Sequence, residues 1–175
     1  MVFTVEIKAD LIEKAKDFAI KKQKSSYKRL GEKEKEEQHQ HLFIGKLTEL
    51  TGQEGLRNAN IPHHCPDKLK VVEEKFYRDV ADCILFPNTA KQMEADFKSA
   101  WQSFHRRILV PQDQYFNQKK DIYIGIRLHC LDVDPIPTFP TFSRNAEIHG
   151  WVKREELHVP DESSSRRYPA YWVNL

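Results

Sequence analysis

In the stretch RDVADCILFPNTAKQMEADFKSAW, residues 78–101, an acid opens a short apolar run, Pro87-Asn88-Thr89 supplies turn residues, and Asp96 and Lys98 follow two positions apart. The turn chemistry and the patterning on either side predict a β-hairpin pairing 82–86 with 92–98. Side chains alternate across a strand, so Met93, Ala95 and Phe97 would face one way and Glu94, Asp96 and Lys98 the other. Asp82, at the head of the first strand, would then lie beside Asp96, with Lys98 one pleat further on. Two carboxylates, completed by a backbone carbonyl and waters, suit Mg²⁺, with Mn²⁺ as a substitute. An ion held there polarises phosphoryl oxygens and lowers the pKa of an attacking water. A lysine beside it orients that water and offsets the charge that develops on phosphorus oxygens.

Other elements must position this hairpin. Within residues 5–30, Leu11, Ile12, Ala15, Phe18 and Ala19 recur at helical spacing between lysines and predict an amphipathic helix, with Gly31 as its end. A second helix follows, starting in nearly pure charge and carrying Leu42, Phe43, Ile44, Leu47 and Leu50 on one side. NANIPHHCP, residues 58–66, reads as a loop because of its two prolines and missing periodicity. After the hairpin, SAWQSFHRRILV places Trp101, Phe104, Ile108 and Leu109 at helical spacing, and KDIYIGIRLHCLDV reads as a strand at or near the centre of a sheet. Residues 134–175 read as loop-rich around one strand-like segment, AEIHGWVKREEL.

At 175 residues the chain is expected to be one domain, residues 1–175, with a charged helical arm over 1–40, a core over 41–133 and the loop-rich part beyond. A net charge of +2 is too small to announce nucleic-acid binding by itself, so distribution matters more. Basic residues cluster at 21–35, Arg106–Arg107, Lys119–Lys120 and Arg166–Arg167. Cys65, Cys83 and Cys130 show no paired spacing, which speaks against a secreted disulfide framework. With no export signal and no long apolar run, a cytoplasmic protein without membrane association is expected.

An acid leading a strand, a turn, then Asp-Phe-Lys on the returning strand resembles the PD-(D/E)XK nuclease superfamily, the fold of many type II restriction endonucleases and resolvases. Asp82 matches the first acid of that pattern, Asp96 the second and Lys98 the lysine. Glu49, in IGKLTELTG, matches the glutamate that the preceding helix often supplies. The matching order covers roughly residues 40–130. Two departures stand out: Ala81 where a proline is common, and Asp rather than Glu at 96. The resemblance implies a restriction-endonuclease-like α/β fold, a mixed central sheet flanked by helices with long N-terminal helices. It implies Mg²⁺-dependent hydrolysis of DNA phosphodiester bonds, with Glu49, Asp82 and Asp96 holding the metal, Lys98 assisting the water, and pairing into a homodimer.

Acid-x-Lys occurs twice more, at Glu6-Ile7-Lys8 and Glu73-Glu74-Lys75, but only Asp96-Phe97-Lys98 sits on a predicted returning strand. Asp79 and the literal Pro66-Asp67 are the rivals to Asp82. His105, Arg106 and Arg107, and Lys119 and Lys120, are candidates to meet a phosphate backbone. A solvated helix face explains the first group equally well. His63, His64 and Cys65 invite a zinc reading, which their adjacency and the lack of a second ligand pair disfavour. Tyr168, Tyr171 and Trp172 suit stacking on bases or packing of the tail. The alternative to an enzyme is a catalytically inactive nucleic-acid-binding or assembly protein of the same fold.

Overall fold

The computed structural model describes residues 2–26, 32–66, 81–103, 105, 107–117, 120–133, 136–158 and 170–174. Within them the chain runs β1 (Phe3–Glu6), α1 (Ala9–Ser26), α2 (Glu32–Asn58), β2 (His63–His64), β3 (Cys83–Leu85), β4 (Met93–Ala100), β5 (Arg107–Pro111), α3 (Gln112–Asn117), β6 (Ile122–Cys130), β7 (Phe142–Lys153) and β8 (Ala170–Asn174). The class is mixed α/β. Six strands form one sheet in the order β1-β7-β6-β4-β3-β2, and β5 and β8 form a separate ribbon. β4 and β6 are parallel and the other neighbours antiparallel.

Why α2 lies so close to the sheet is written in its glycines. A Cβ at Gly52 would fall 2.4 Å from the Phe97 ring and 2.9 Å from Ile126. Only a residue without a side chain lets the helix axis descend onto β4 and β6 at that point. The apolar side of α2 (Phe43, Ile44, Leu47), the buried positions of α1 (Leu11, Ala15, Ala19) and the odd face of β4 (Ala95, Phe97) then share one core with Ile122, Ile124, Ile126 and Leu128 of β6. Each large side chain buried there contributes roughly 1.5–3 kcal/mol relative to leaving it in water.

The opposite face of the sheet is covered by the segment that links the parallel strands β4 and β6. Ile108 and Val110 of β5 pack with Tyr123, Val152 and Leu157, and Tyr115 of α3 lies against them. A parallel pair needs such a long crossover connection. This covering differs from the sequence expectation. SAWQSFHRRILV is not a helix: β4 continues to Ala100, a turn follows, and β5 begins at Arg107. The governing signal is the alternation in β5, where Ile108 and Val110 are buried and Leu109 is 46% exposed.

Further differences follow the same physics. The first helix begins at Ala9, because FTVE, rich in β-branched and aromatic side chains, pairs with β7 as an edge strand. Inside the expected loop 58–66, His63 and His64 pair with Leu85 and Ile84. The part beyond 134 is less irregular than expected, since β7 spans Phe142–Lys153 and β8 pairs with β5. Among the described residues no helix is long and apolar enough to cross a membrane.

Candidate active site

The hairpin forms in the expected register. Cys83, Ile84 and Leu85 pair with Ala95, Glu94 and Met93, so the next pair outward would be Asp82 and Asp96. Pro87-Asn88-Thr89 makes the turn, with Asn88 at φ 60°, a left-handed conformation that asparagine tolerates. Beyond the last ladder pair the carboxylates replace backbone partners. The Asp82 amide donates to Asp96 Oδ1 at 3.2 Å, and the Phe97 amide donates to Asp82 Oδ2 at 2.8 Å.

Asp96 is buried although charged. It sits on the face of β4 opposite the α2 core, paired across the sheet with Tyr123 of β6, which in turn pairs with Val152 of β7. Lys98 is on this same face. Its Nζ donates to Asp96 Oδ2 at 3.3 Å and to Gln114 Oε1 at 2.8 Å, and it lies 5.7 Å from the centre of the Tyr123 ring. Lysine carries three donors, so one N–H is left over after these two bonds. The Tyr123 hydroxyl is buried without a hydrogen-bond partner in the structure. Burial, reinforced by the neighbouring Asp96 carboxylate, pushes the Tyr123 phenol up to about 12.

Glu49 projects from α2 and is buried. Its Oε1 accepts Lys46 Nζ at 2.8 Å and Gln53 Nε2 at 3.2 Å. The negative charges of Glu49 and Asp82 both push the thiols of Cys65 and Cys83 upward. Hydrogen bonding from Cys83 lowers the pKa of Cys65, while that bond and burial raise the pKa of Cys83. Among the described residues no three His, Cys, Asp or Glu side chains converge as a ready-made metal cage. Mg²⁺ does not require one, because it keeps several waters and takes one or two carboxylates plus substrate phosphate. The Asp82–Asp96 pair is a donor set of that size, and the chemistry of its oxygens fits the ion.

The proposed phosphate contacts fare differently. His105 does not lie on a helix but closes the turn between β4 and β5. Its Nδ1 accepts the amides of Trp101 and Gln102 at 3.3 and 3.4 Å, and its carbonyl accepts Arg127 Nη2 at 2.7 Å. Burial, with Arg127 adding to it, holds the imidazole below its usual pKa. Lys120 is buried, its ammonium 3.4 Å from Glu94 Oε2. Arg107 opens β5 and is partly exposed. Arg106, Lys119, Asp67 and Asp79 lie outside the described residues.

Sequence reasoning missed Gln114 and Tyr123. No spacing rule connects a glutamine on a six-residue helix with a lysine sixteen positions earlier; only the crossover does so. It also missed Lys153 and Arg154, which with Lys120 and Asp121 line a cleft of about 440 Å³ at the start of β6. Comparison with protein-family models, curated proteins and solved structures found no match for this chain. The functional reading is carried by its own residues.

Proposed function

We propose that this chain is a Mg²⁺-dependent deoxyribonuclease of the restriction-endonuclease-like fold, with Asp82 and Asp96 as metal-binding carboxylates and Lys98 as the residue that orients the attacking water. The observation that carries the reading is the mutual seating of these three side chains: the Asp96 carboxylate accepts the Asp82 amide, the Asp82 carboxylate accepts the Phe97 amide, and the Lys98 ammonium bridges Asp96 and Gln114. The succession of α2, the antiparallel β3–β4 hairpin and a parallel β6 beside β4 supports the same fold assignment.

The ion would supply Lewis-acid polarisation of the scissile phosphate and a more acidic water. The chain's own contribution is placement. Asp82 and Asp96 present carboxylate oxygens at the open end of the ladder. Lys98 aims its remaining N–H at the water or a phosphoryl oxygen, and Gln114 and the Tyr123 ring hold the ammonium in place for that task. Glu49, held by Lys46 and Gln53 on α2, is the third carboxylate that the resemblance assigns to the metal. DNA backbone contacts would fall to the basic residues that the sequence offers for that role, Arg106, Arg107 and Lys119 among them, and a homodimer would address both strands.

A second reading of a different class is favoured by the same hydrogen bonds. Carboxylates that cap backbone amides can serve as clips for the hairpin, and a nucleic-acid-binding or assembly protein would keep them for that reason alone. Incubating the protein with supercoiled plasmid in Mg²⁺ or Mn²⁺, against an EDTA control, separates the two. Ion-dependent nicking supports the nuclease, and binding without cleavage under every condition supports the second reading.

A further inference from the structure

We propose that Cys65 and Cys83 form a thiol-modification site that takes a low-molecular-weight disulfide and closes as a cystine across β2 and β3. The register carries the inference. His63 pairs with Leu85 and His64 with Ile84, so the next pair is Cys65 with Cys83. The Phe86 amide donates to the Pro62 carbonyl at 2.8 Å, which makes 62 and 86 a hydrogen-bonded pair. Antiparallel pairs alternate between bonded and non-bonded, so counting inward makes Cys65 and Cys83 a non-bonded pair, with Cα atoms about 4.5 Å apart. That separation lies inside the range a cystine spans, about 4.4–6.8 Å. The side chains are also on one face, since Cys83 belongs to the core beneath α2 and Cys65 packs against that core.

Unequal exposure sets the order of events. Cys65 is half-buried and Cys83 fully buried, so an incoming disulfide meets Cys65 first. Cys65 Sγ attacks one sulfur of RSSR, forming Cys65–S–S–R and expelling RS⁻, which leaves as RSH with the proton from Cys65. Cys83 Sγ then attacks Cys65 Sγ, the S–S bond to R breaks, and the second RS⁻ leaves with the proton from Cys83. The two protein thiols lose two electrons and two protons, and RSSR becomes two RSH. Cys130, on β6 and paired with Phe142, lies across β4 from this pair and takes no part.

The reduced protein, incubated with oxidised glutathione and read by intact mass and peptide mapping, tests the site. Closure predicts a net loss of two hydrogens, no retained glutathione, and a linked peptide joining Cys65 to Cys83. Cys130→Ser should close equally well, and Cys65→Ser should not close. Cys83→Ala, which lacks the resolving thiol, should accumulate a glutathione adduct at Cys65. If Cys83→Ala fails to fold, the wild type and Cys65→Ser still decide the matter. A stable glutathione adduct at Cys65 of the folded wild type, a cystine that includes Cys130, or three unreacted thiols would overturn the proposal. No DNA or metal enters the measurement, so its outcome is independent of the nuclease reading.

Discussion

Asp82 and Asp96 face each other one position beyond the β3–β4 ladder, joined by the Asp82 amide to Asp96 Oδ1 at 3.2 Å. The second tie, from the Phe97 amide to Asp82 Oδ2 at 2.8 Å, fixes the first carboxylate against the returning strand. Hydrogen bonds from amides offset part of the repulsion between the acids, and Lys98 offsets more on one side only. A divalent cation would complete the neutralisation.

Metal should therefore bind the folded chain more tightly than the unfolded one. At a hundredfold excess over Kd, linkage adds about 2.7 kcal/mol, which raises Tm by roughly 5–10 °C in a chain of this size. Asp96→Asn should abolish the shift while the chain stays folded, because an amide oxygen can still accept the Asp82 amide. Calorimetric melting across a Mg²⁺ and Mn²⁺ titration reads this, and identical shifts in both proteins would argue against the site.

Lys98 and Gln114 should separate chemistry from binding. Lys98→Ala is expected to slow single-turnover cleavage by about a hundredfold or more with DNA affinity nearly intact, since affinity draws on many phosphate contacts. Gln114→Ala, which frees the ammonium without removing it, should cost less, on the order of tenfold. The double replacement of Arg106 and Arg107 by alanine should do the reverse, weakening binding and flattening its salt dependence. Equal cleavage rates for wild type and Lys98→Ala would remove the lysine from the mechanism.

The three glycines of α2 with known surroundings form a graded test of packing. Gly52→Ala drives a Cβ into the Phe97 ring, which cannot turn aside within a filled core, and should destabilise by about 1–3 kcal/mol despite the better helix propensity of alanine. At Gly55 the nearest atom is Cδ1 of Ile148, the end of a flexible side chain, so the cost should be smaller. Gly45 has no atom within 4 Å of a new Cβ, so alanine there should stabilise by up to about 1 kcal/mol. Denaturant midpoints that fail to rank in this order would contradict the close seating of α2 on β4.

His105 should make stability depend on mildly acidic pH. The turn needs Nδ1 unprotonated to accept two amides, and burial keeps the folded imidazole below its ordinary value of 6.5. The unfolded chain takes up a proton first as pH falls through that value, so stability is full above it and declines below it until the folded pKa is reached. Melting curves from neutral pH downward should show a slope that His105→Gln reduces. An unchanged slope would mean that the turn tolerates the imidazolium.

The hairpin was readable because a turn signal, an alternating strand and a leading acid coincide within twenty residues, all of them local. The buried faces of α1 and α2 were readable for the same reason. Residues 99–110 were not, because Trp101, Phe104, Ile108 and Leu109 satisfy a helical period while Ile108, Leu109 and Val110 satisfy an alternating one, and only burial against Tyr123 and Val152 decides between them. His105, a phosphate candidate on the helix that the period predicts, instead closes the turn after β4. Gln114 and Tyr123 reach Lys98 through the crossover and the parallel pairing of β4 with β6, which are long-range properties without a local mark.

Whether Asp96 and its neighbours hydrolyse DNA is decided by plasmid nicking with wild type and Asp96→Asn side by side, at matched folded concentration in Mg²⁺ and in Mn²⁺. The wild type should convert supercoiled plasmid in an ion-dependent manner, and the variant should lose that conversion. A wild type that binds the plasmid yet never cuts it with either ion, or a variant that cuts as fast as the wild type, would contradict the nuclease reading.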